Sequence, residues 1–246
     1  MAPAGYGNRV EGLHAVAAAV EAGRVRRLWV ESGRLRRPEV RSIMDGFERQ
    51  EVSVVEDVRS LAETDAPQGL IADCIPIAPI PLDRLAGGGA AIMVLDHIED
   101  PHNVGAIARS SLAAGMTGMM ISAKRQAPLS AAAFKTAAGA LEKMPVAVVG
   151  SIAEALNRLK AVGVWIVGLE PSATSSLFGL EILTEPVAVV IGAEGAGLGV
   201  LTARRCDVLA SIAMAGATDS LNASVSAALA CFEIMRVRRD ASAAPG

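Results

Sequence analysis

The sequence predicts an α/β protein with two units, the second built on a parallel sheet that helices cover on both faces. From residue 90 onward, near-continuous apolar runs alternate with stretches of helical spacing, as expected for buried parallel strands joined by helices. Hydrophobic residues make up 52% of the chain and aromatic residues only 3%, so the core must consist mainly of Ala, Val, Leu and Ile. A chain of 246 residues is long enough for two cores.

Residues 1–75 are predicted to form a small α/β unit. Apolar spacing predicts, in order, a helix over VEGLHAVAAAV, a strand over RRLWVE, a helix over PEVRSIMDGFERQ, a strand over EVSVVE, a short helix over DVRSLAE and a closing strand over GLIADCI. Pro76, Pro79, Pro81 and the glycines at 87–89 then stop both helix and strand. Residues 76–89 are therefore predicted to be a linker.

Residues 90–240 are predicted to form the second unit, followed by a flexible tail over residues 241–246. The predicted strands are AAIMVLD, GMMIS, VAVVG, VWIVGL, PVAVVIG and VLASIAM. The predicted helices begin near Asn103, Ser130, Ser151, Gly199 and Asn222. Because ligands of such sheets collect beyond the carboxyl ends of the strands, the loops at those ends are the candidate site.

Composition excludes several classes of protein. The three cysteines are widely spaced and form no CxxC pair, so neither a disulfide framework nor a zinc site is indicated. The N-terminus lacks a basic start and an apolar segment typical of a secretory signal, and no apolar run reaches the roughly 18 residues of a membrane span. We therefore expect a cytoplasmic protein that does not enter a membrane.

Seven arginines lie between positions 24 and 41, against two glutamates, although the whole chain has a net charge of −3. Such a cluster is either an ordinary solvated face or a surface that contacts nucleic-acid phosphates. The arginines are Arg24, Arg26, Arg27, Arg34, Arg36, Arg37 and Arg41.

The first candidate loop is LDHIEDPHNVGAIARSSLAAG, residues 95–115. Asn103 is suited to cap the helix that follows. The predicted buried stripe of that helix is Val104, Ile107, Ala108, Ser111 and Leu112. Arg109 lies about 140° around the helix from Val104, off this stripe, and is either a solvated residue or a functional cation.

The same loop contains two histidines and three acidic residues, which raises the question of a metal site. The histidines are five positions apart, a spacing that matches none of the usual zinc patterns, and no distant third ligand stands out. We therefore expect no metal, and assign the acidic residues to shaping the loop. The residues concerned are Asp96, His97, Glu99, Asp100 and His102.

The second candidate loop, GAEGAGLG at residues 192–199, follows the apolar run PVAVVI and carries a carboxylate at Glu194. It fails the dinucleotide fingerprint because Val200 stands where a third small residue is required, and it lacks the GK[ST] of a P-loop. A carboxylate would also repel a phosphate. The loop is either a tight turn or a close backbone approach to a ligand that is not an anion.

The third candidate stretch, residues 214–236, places Ser220, Asn222 and Ser224 at the start of a helix. One of them is needed as the cap, and three exceed that need. The predicted buried stripe of this helix is Val225, Ala228, Leu229, Phe232 and Met235.

Together, DPHNVGAIARS, VIGAEGAGLG and SIAMAGATDSLNASVSAALACFE resemble the three ordered motifs of the SpoU, or TrmH-like, branch of the SPOUT methyltransferases. The segment beginning YGNRVEGLHAVAAAV is similar to the family's small RNA-binding domain, which is like a ribosomal protein. The resemblance implies a trefoil-knotted domain that binds S-adenosylmethionine, and a homodimer whose active sites draw on both subunits. It also implies 2'-O-methylation of an RNA ribose, with a guanosine of 23S rRNA as the first expectation. The alternatives are a transfer-RNA ribose and an RNA-binding protein without activity.

The resemblance also implies roles for individual residues. Catalytic roles fall to Asn103, Arg109, Glu194, Ser220 and Asn222. The methyl donor is expected near Gly168, Gly192, Ile212, Leu221 and Ser224. RNA phosphates are expected to contact Arg24, Arg26, Arg27, Arg34, Arg36 and Arg37. Asp219 stands where relatives often have a hydroxyl residue, which adds a negative charge near the site.

Charge explains why this chemistry accepts a carboxylate in the second loop. A sulfonium donor is cationic, so Glu194 does not repel it, and a preorganised, mostly apolar pocket favours a step in which charge cancels. Arginine normally stays protonated in proteins, so we expect Arg109 to bind a phosphate and stabilise developing negative charge rather than to act as the base.

Overall fold

The computed structural model describes residues 5–46, 51–216 and 220–243, which form two sheets with their helices. The helices are α1 (Leu13–Glu21), α2 (Pro38–Asp45), α3 (Pro101–Ala113), α4 (Ala131–Ala137), α5 (Ala140–Lys143), α6 (Ile152–Ala161), α7 (Val200–Ala203) and α8 (Ala223–Ala243). The strands are β1 (Arg9–Glu11), β2 (Val25–Glu31), β3 (Glu51–Val55), β4 (Leu70–Cys74), β5 (Ala91–Asp96), β6 (Gly118–Ser122), β7 (Val146–Val149), β8 (Trp165–Leu169), β9 (Ser175–Ser176), β10 (Val187–Gly192) and β11 (Val208–Ser211).

The first unit is a four-stranded sheet in the order β1-β4-β2-β3. Strands β2 and β3 are parallel, and β4 runs antiparallel to β1 and β2. Alternate residues of β2, Leu28 and Val30, are fully buried in one core with Val16 of α1 and Val40 of α2. The α/β character predicted for this unit is therefore confirmed.

The second unit is a seven-stranded sheet in the order β7-β6-β5-β10-β8-β11-β9, with every neighbouring pair parallel. Alternate residues of β5 belong to two separate cores: Met93 lies in the core that contains Ile107 of α3, and Ile92 lies in the core that contains Leu156 of α6. Helices thus cover both faces of the sheet, which explains why its strands are apolar at nearly every position. All six predicted strands are present.

Residues 76–89, the predicted linker, contact both units. Ile77 pairs with Tyr6 of the first unit in an isolated β-bridge, and Leu82 and Leu85 are buried in the second unit's α6-side core. At the other end of the chain, α8 extends to Ala243, so half of the predicted tail is helical, and residues 244–246 lie outside the described residues.

A buried ion pair joins the two units. Arg24, directly before β2, donates from Nε to Glu142 Oε2 of α5 at 2.7 Å and from Nη2 to Glu142 Oε1. The two side chains are only 12% and 2% exposed. Burial alone lowers the pKa of Arg24, but the hydrogen bonds and charge of Glu142 outweigh it, and the net shift is upward. The prediction that Arg24 contacts RNA is therefore wrong, because its guanidinium is already held inside the protein.

The start of α3 differs from the prediction. Asp100, not Asn103, is the cap, since its side chain accepts from His102 N at 2.8 Å and Pro101 occupies the first turn. Asn103 lies inside the first turn and is only 8% exposed, so its amide is available for a different task. The predicted starts at Ser130, Ser151, Gly199 and Asn222 are confirmed.

The buried stripes of α3 and α8 have different outcomes. In α3, four of the five predicted residues are buried and Leu112 is partly buried. In α8 the prediction is wrong: Val225, Phe232 and Met235 are 46%, 44% and 36% exposed. The small side chains of Ala223, Ala227, Ala230 and Cys231 are buried instead, where α8 packs beside α3. A large apolar face of α8 is thus open to solvent in a single chain.

Candidate active site

The three candidate loops meet at one carboxylate. Glu194 Oε1 accepts from Asn103 Nδ2 at 3.1 Å, from Asn222 Nδ2 and from the backbone N–H of Ala223 at 3.3 Å. Asn222 Nδ2 also donates to Asn103 Oδ1 at 3.1 Å. These residues are 91 and 28 positions from Glu194 along the chain, so only the fold brings them together. The predicted convergence of the three motifs is present for Asn103, Glu194 and Asn222.

Asn222 has two tasks. Its side-chain oxygen accepts from Ser224 N at 2.8 Å and from Ser224 Oγ at 2.6 Å, which caps α8, while its amide nitrogen faces Glu194. The orientation of the amide is therefore fixed from both ends. At the start of α8, the backbone N–H of Ala223 also points to the carboxylate, an arrangement that stabilises negative charge.

Glycines let the second loop fold back on β10. A Cβ on Gly192 would lie 2.2 Å from the carbonyl group of Gly197, so no larger residue fits there. Gly195 and Gly197 have φ angles of 75° and 66°, in the left-handed region that favours glycine. Ala193 and Gly197 pair in a β-bridge that closes the loop. The glycines thus place Glu194 at the tip of a tight, preorganised turn.

A buried carboxylate anchors the far end of this loop. Asp96, the last residue of β5, is fully buried, and its Oδ2 accepts from Gly199 N at 2.8 Å. His97 Nδ1 lies 2.7 Å from Asp96 Oδ1. Asp96 therefore ties the end of the first motif's strand to the second motif's loop. Within the described residues, no group of His, Cys, Asp and Glu has the arrangement of a metal site.

A cleft of about 650 Å³ opens beside Glu194 at the carboxyl ends of β8, β10 and β11. Its size suits an organic ligand. It is lined by Gly192, Ile212 and Leu221, which are predicted to lie near the donor, and by Glu194 and Ser220, which are predicted to be catalytic. Its lining among the described residues includes two carboxylates and no lysine, arginine or histidine, so the cleft favours a cationic ligand. These properties fit S-adenosylmethionine, whose sulfonium gives it a net positive charge.

Two residues predicted to bind the donor lie elsewhere. Gly168 is buried and does not line the cleft, and a Cβ there would lie 2.7 Å from Cys206 Sγ and Leu198 Cδ1, so close packing requires the glycine. The hydroxyl of Ser224 is committed to Asn222 and is not part of the lining.

Several lining residues were not predicted from the sequence. They include Glu170, Pro171, Met214 and Ser226. The stretch EPS directly follows the apolar run VWIVGL, so the rule that ligands collect at the carboxyl ends of parallel strands could have identified Glu170 and Pro171. Asp219 lies outside the described residues, so its place relative to the cleft stays a prediction.

Arg109 is not part of this cluster in a single chain. It is exposed, and it makes no hydrogen bond or ion pair with the described residues. It stands six positions after Asn103, which is about 9 Å along the helix axis and about 120° around it. Its predicted catalytic role has no support from contacts within the described residues and stays a prediction.

The remaining arginines of the basic cluster lie on the surface of the first unit. Arg26, Arg27, Arg36, Arg37 and Arg41 are exposed and Arg34 is partly exposed. The guanidinium of Arg27 lies 5.6 Å from the ring centre of Trp29. Their predicted contact with RNA stays a prediction. None of the helices in the described part of the chain is long and apolar enough to cross a membrane.

Comparison with known families identifies both units. The model of the SpoU rRNA Methylase family matches residues 90–232, and a model described as RNA 2'-O ribose methyltransferase substrate binding matches residues 9–79. Together they cover both sheets.

Curated relatives and solved structures agree with these matches. A 23S rRNA (guanosine-2'-O-)-methyltransferase RlmB from Xylella fastidiosa is 45% identical over 153 residues, so the match spans 62% of this chain and 61% of the relative's length. An RlmB from Xanthomonas campestris is 34% identical over 241 residues, 93% of this chain and 96% of that one. The crystal structure of the SpoU methyltransferase AviRb from Streptomyces viridochromogenes with AdoMet superposes with a TM-score of 0.80 and 27% identity, covering 94% of this chain and 90% of that one.

Proposed function

Because this chain belongs to the SpoU rRNA methylase family, we propose that it transfers a methyl group from S-adenosylmethionine to a ribose 2'-hydroxyl of 23S rRNA, at a guanosine. The observation that carries the proposal is the meeting of Asn103, Glu194 and Asn222 at the mouth of a cleft without basic residues among its described lining. The RlmB relatives support the choice of a guanosine in 23S rRNA. A transfer-RNA ribose is the alternative substrate. An enzyme that modifies ribosomal RNA is expected in the cytoplasm.

The cleft would hold the methyl donor through the backbone of the glycine loop and the apolar side chains of Ile212 and Leu221. When bound, the donor supplies an electrophilic methyl group on a sulfonium. The chain's own contribution is placement: Glu194, Asn103 and Asn222 form a network whose members are each held by at least one other, so the reacting groups meet a fixed polar surface. Transfer cancels charge, and the apolar side of the cleft favours that step.

We infer that the enzyme is a homodimer in which Arg109 acts in the cleft of the second subunit. The exposed apolar side chains of Val225, Phe232 and Met235 support an isologous interface through α8. Helix α8 packs on α3 through the Ser111 and Cys231 side chains, so an interface along α8 lies beside the helix that carries Arg109. We also infer the trefoil knot that this family's fold implies.

Arg109 is proposed to bind the phosphate next to the target ribose and to stabilise developing negative charge. Single-turnover rates measured against pH test this role. In Arg109→Lys we expect a lower rate but the same apparent pKa in the pH–rate profile as in wild type. The positive charge remains, but the planar guanidinium that can bond a phosphate through two nitrogens is lost. A new ionisation in the range of a lysine would instead assign the general base to position 109.

The first unit is proposed to bind the RNA through Arg26, Arg27, Arg34, Arg36 and Arg37. Replacing three exposed arginines by glutamine should weaken RNA binding and flatten its salt dependence, because each phosphate contact releases counterions. Arg24→Gln is not suitable as a member of this set, since it would break the buried pair with Glu142.

Incubation with labelled S-adenosylmethionine and unmodified ribosomal RNA tests the proposed function as a whole. Label on a ribose supports the enzyme, and mapping the methylated nucleotide separates a ribosomal from a transfer-RNA target. RNA binding without label would favour a protein that has kept the fold without activity. Glu194→Gln is the matched variant, because it removes the charge at the centre of the network while keeping the side chain's size.

A further inference from the structure

Glu170 is the second carboxylate of the cleft, and the roles described above do not use it. It directly follows β8 and lines the cleft together with its neighbours Leu169 and Pro171. Its Oε1 accepts from Ser172 Oγ at 3.3 Å. A Cβ built on Gly197 would lie 3.5 Å from its Oε2, so that oxygen lies against the glycine loop.

The position of Glu170 separates it from the reacting groups. In the sheet, β10 lies between β5 and β8, so Asn103 follows β5 on one side of Glu194 and Glu170 follows β8 on the other. Glu194 accepts from Asn103 and Asn222, whereas the side chain of Glu170 has Ser172 as its only hydrogen-bond partner among the described residues. The carboxylate of Glu170 is therefore available to a ligand at the end of the cleft away from the polar network.

The surroundings of Glu170 indicate which part of a ligand it meets. Leu169, Pro171 and Ile212 give this end of the cleft an apolar wall suited to a flat base such as adenine. A ribose is joined directly to that base and carries two neighbouring hydroxyls. A carboxylate presents two acceptor oxygens, so one side chain can accept from both hydroxyls, as acidic residues at strand ends do in dinucleotide-binding folds.

We propose that Glu170 binds the ribose hydroxyls of the adenosine part of the methyl donor. This assignment rests on the proposed function and deepens it, because it states how the chain holds the donor's nucleoside while Glu194 organises the other end. The hydroxyls donate to the carboxylate, so binding uses the ionised form of Glu170. The contact does not involve the sulfonium or the amino-acid chain, and it therefore remains in every ligand that keeps the ribose.

Calorimetric titration of three ligands tests the assignment. S-adenosylmethionine, S-adenosylhomocysteine and 5'-methylthioadenosine share the adenosine, but the second lacks the sulfonium charge and the third also lacks the amino-acid chain. In Glu170→Gln we expect Kd to rise about tenfold, by a similar factor for all three ligands, because a charge-assisted pair of hydrogen bonds is lost from each. Glu170→Asp, which keeps the charge on a shorter side chain, should fall between wild type and Glu170→Gln. Glu154→Gln, an exposed change on α6, is the control and should bind like wild type.

A loss of affinity for S-adenosylmethionine alone would show that Glu170 acts on the sulfonium charge and would overturn the assignment. A loss for both amino-acid ligands with unchanged binding of 5'-methylthioadenosine would move the contact to the ligand's ammonium group and overturn it as well. Unchanged binding of all three ligands in Glu170→Gln would overturn the Glu170 assignment while leaving the proposed function intact. Failure of the wild-type protein to bind any of them would overturn both.

Discussion

Replacing Glu142 with alanine tests whether the buried ion pair fixes the two units to each other. In the wild-type protein the guanidinium of Arg24 is 12% exposed and the carboxylate of Glu142 is 2% exposed. Removing the carboxylate leaves the Arg24 guanidinium with only the backbone carbonyls of Gly7 and Ile75 as hydrogen-bond partners among the described residues, beside the ring of Phe134. Breaking a buried pair from one side costs about 3–5 kcal/mol, because the remaining charge is desolvated without compensation.

A second pair across the same interface is the matched control. Lys143 of α5 pairs with Glu21 of α1, but their charged atoms are 3.9 Å apart and the side chains are 61% and 75% exposed. Exposed pairs contribute about 0–1 kcal/mol, so Lys143→Ala should change the free energy of unfolding by less than that. Both changes remove one charge from the same helix, so the difference between their effects on the free energy of unfolding measures the contribution of burial.

The chain's two tryptophans make the measurement specific to each unit. Trp29 lies in the first unit and Trp165 in the second, so in a Trp165→Phe background the fluorescence of Trp29 follows the first unit during urea unfolding. We expect Glu142→Ala to lower the midpoint of this transition clearly. Replacing Arg24 and Glu142 together by Met and Leu should recover much of the loss, because an apolar pair has no uncompensated charge. An effect of Glu142→Ala no larger than that of Lys143→Ala would refute this reasoning.

Four further predictions follow from the packing and exposure of individual side chains. Gly192→Ala should abolish donor binding while the protein stays folded, because its Cβ would lie 2.2 Å from Gly197; normal affinity by calorimetry would contradict this. Burial raises the pKa of Cys231 to about 11 and of Cys74 to about 12, so neither thiol should react with iodoacetamide at pH 8.5 without unfolding. Since unfolded thiols ionise near pH 8.5, stability should fall as pH rises above that value, by roughly 1.4 kcal/mol per pH unit for each thiol, and a flat profile in urea titrations would disagree. Phe232→Glu should turn the proposed dimer into monomers in sedimentation experiments, and an unchanged mass would exclude α8 as the interface.

Much of the fold could be predicted because its signals are local. The strands of the second unit are buried on both faces, so their sequences are apolar runs such as AIMVLD and VAVVIG, which predict buried strands directly. Ser151 is also a local signal, since a serine before an apolar helical pattern accepts from a backbone N–H three residues later, here that of Glu154.

The errors arose where a residue's partner is distant in the chain. The sequence does not distinguish Arg24 from the other arginines of its cluster, because the carboxylate that pairs with it is 118 positions away. Asparagine suits a helix cap, which favours that role for Asn103 in the sequence. In the structure Asp100 is the cap, and Asn103 donates to Glu194, 91 positions away. In α8, the periodicity shows two apolar faces, one with small side chains and one with large side chains. Sequence alone does not reveal that the face with small side chains is buried while Phe232 is exposed.

The central claim is that three loops distant in sequence form one cleft for methyl transfer to ribose. The most direct measurement is the incorporation of labelled methyl groups into unmodified 23S rRNA by wild-type protein and by Glu194→Gln and Asn222→Ala variants, with donor binding measured on the same samples. We predict label on a single ribose 2'-oxygen with wild type and a loss of at least about a hundredfold in rate for both variants. Label on a base, or full activity in both variants, would contradict the account.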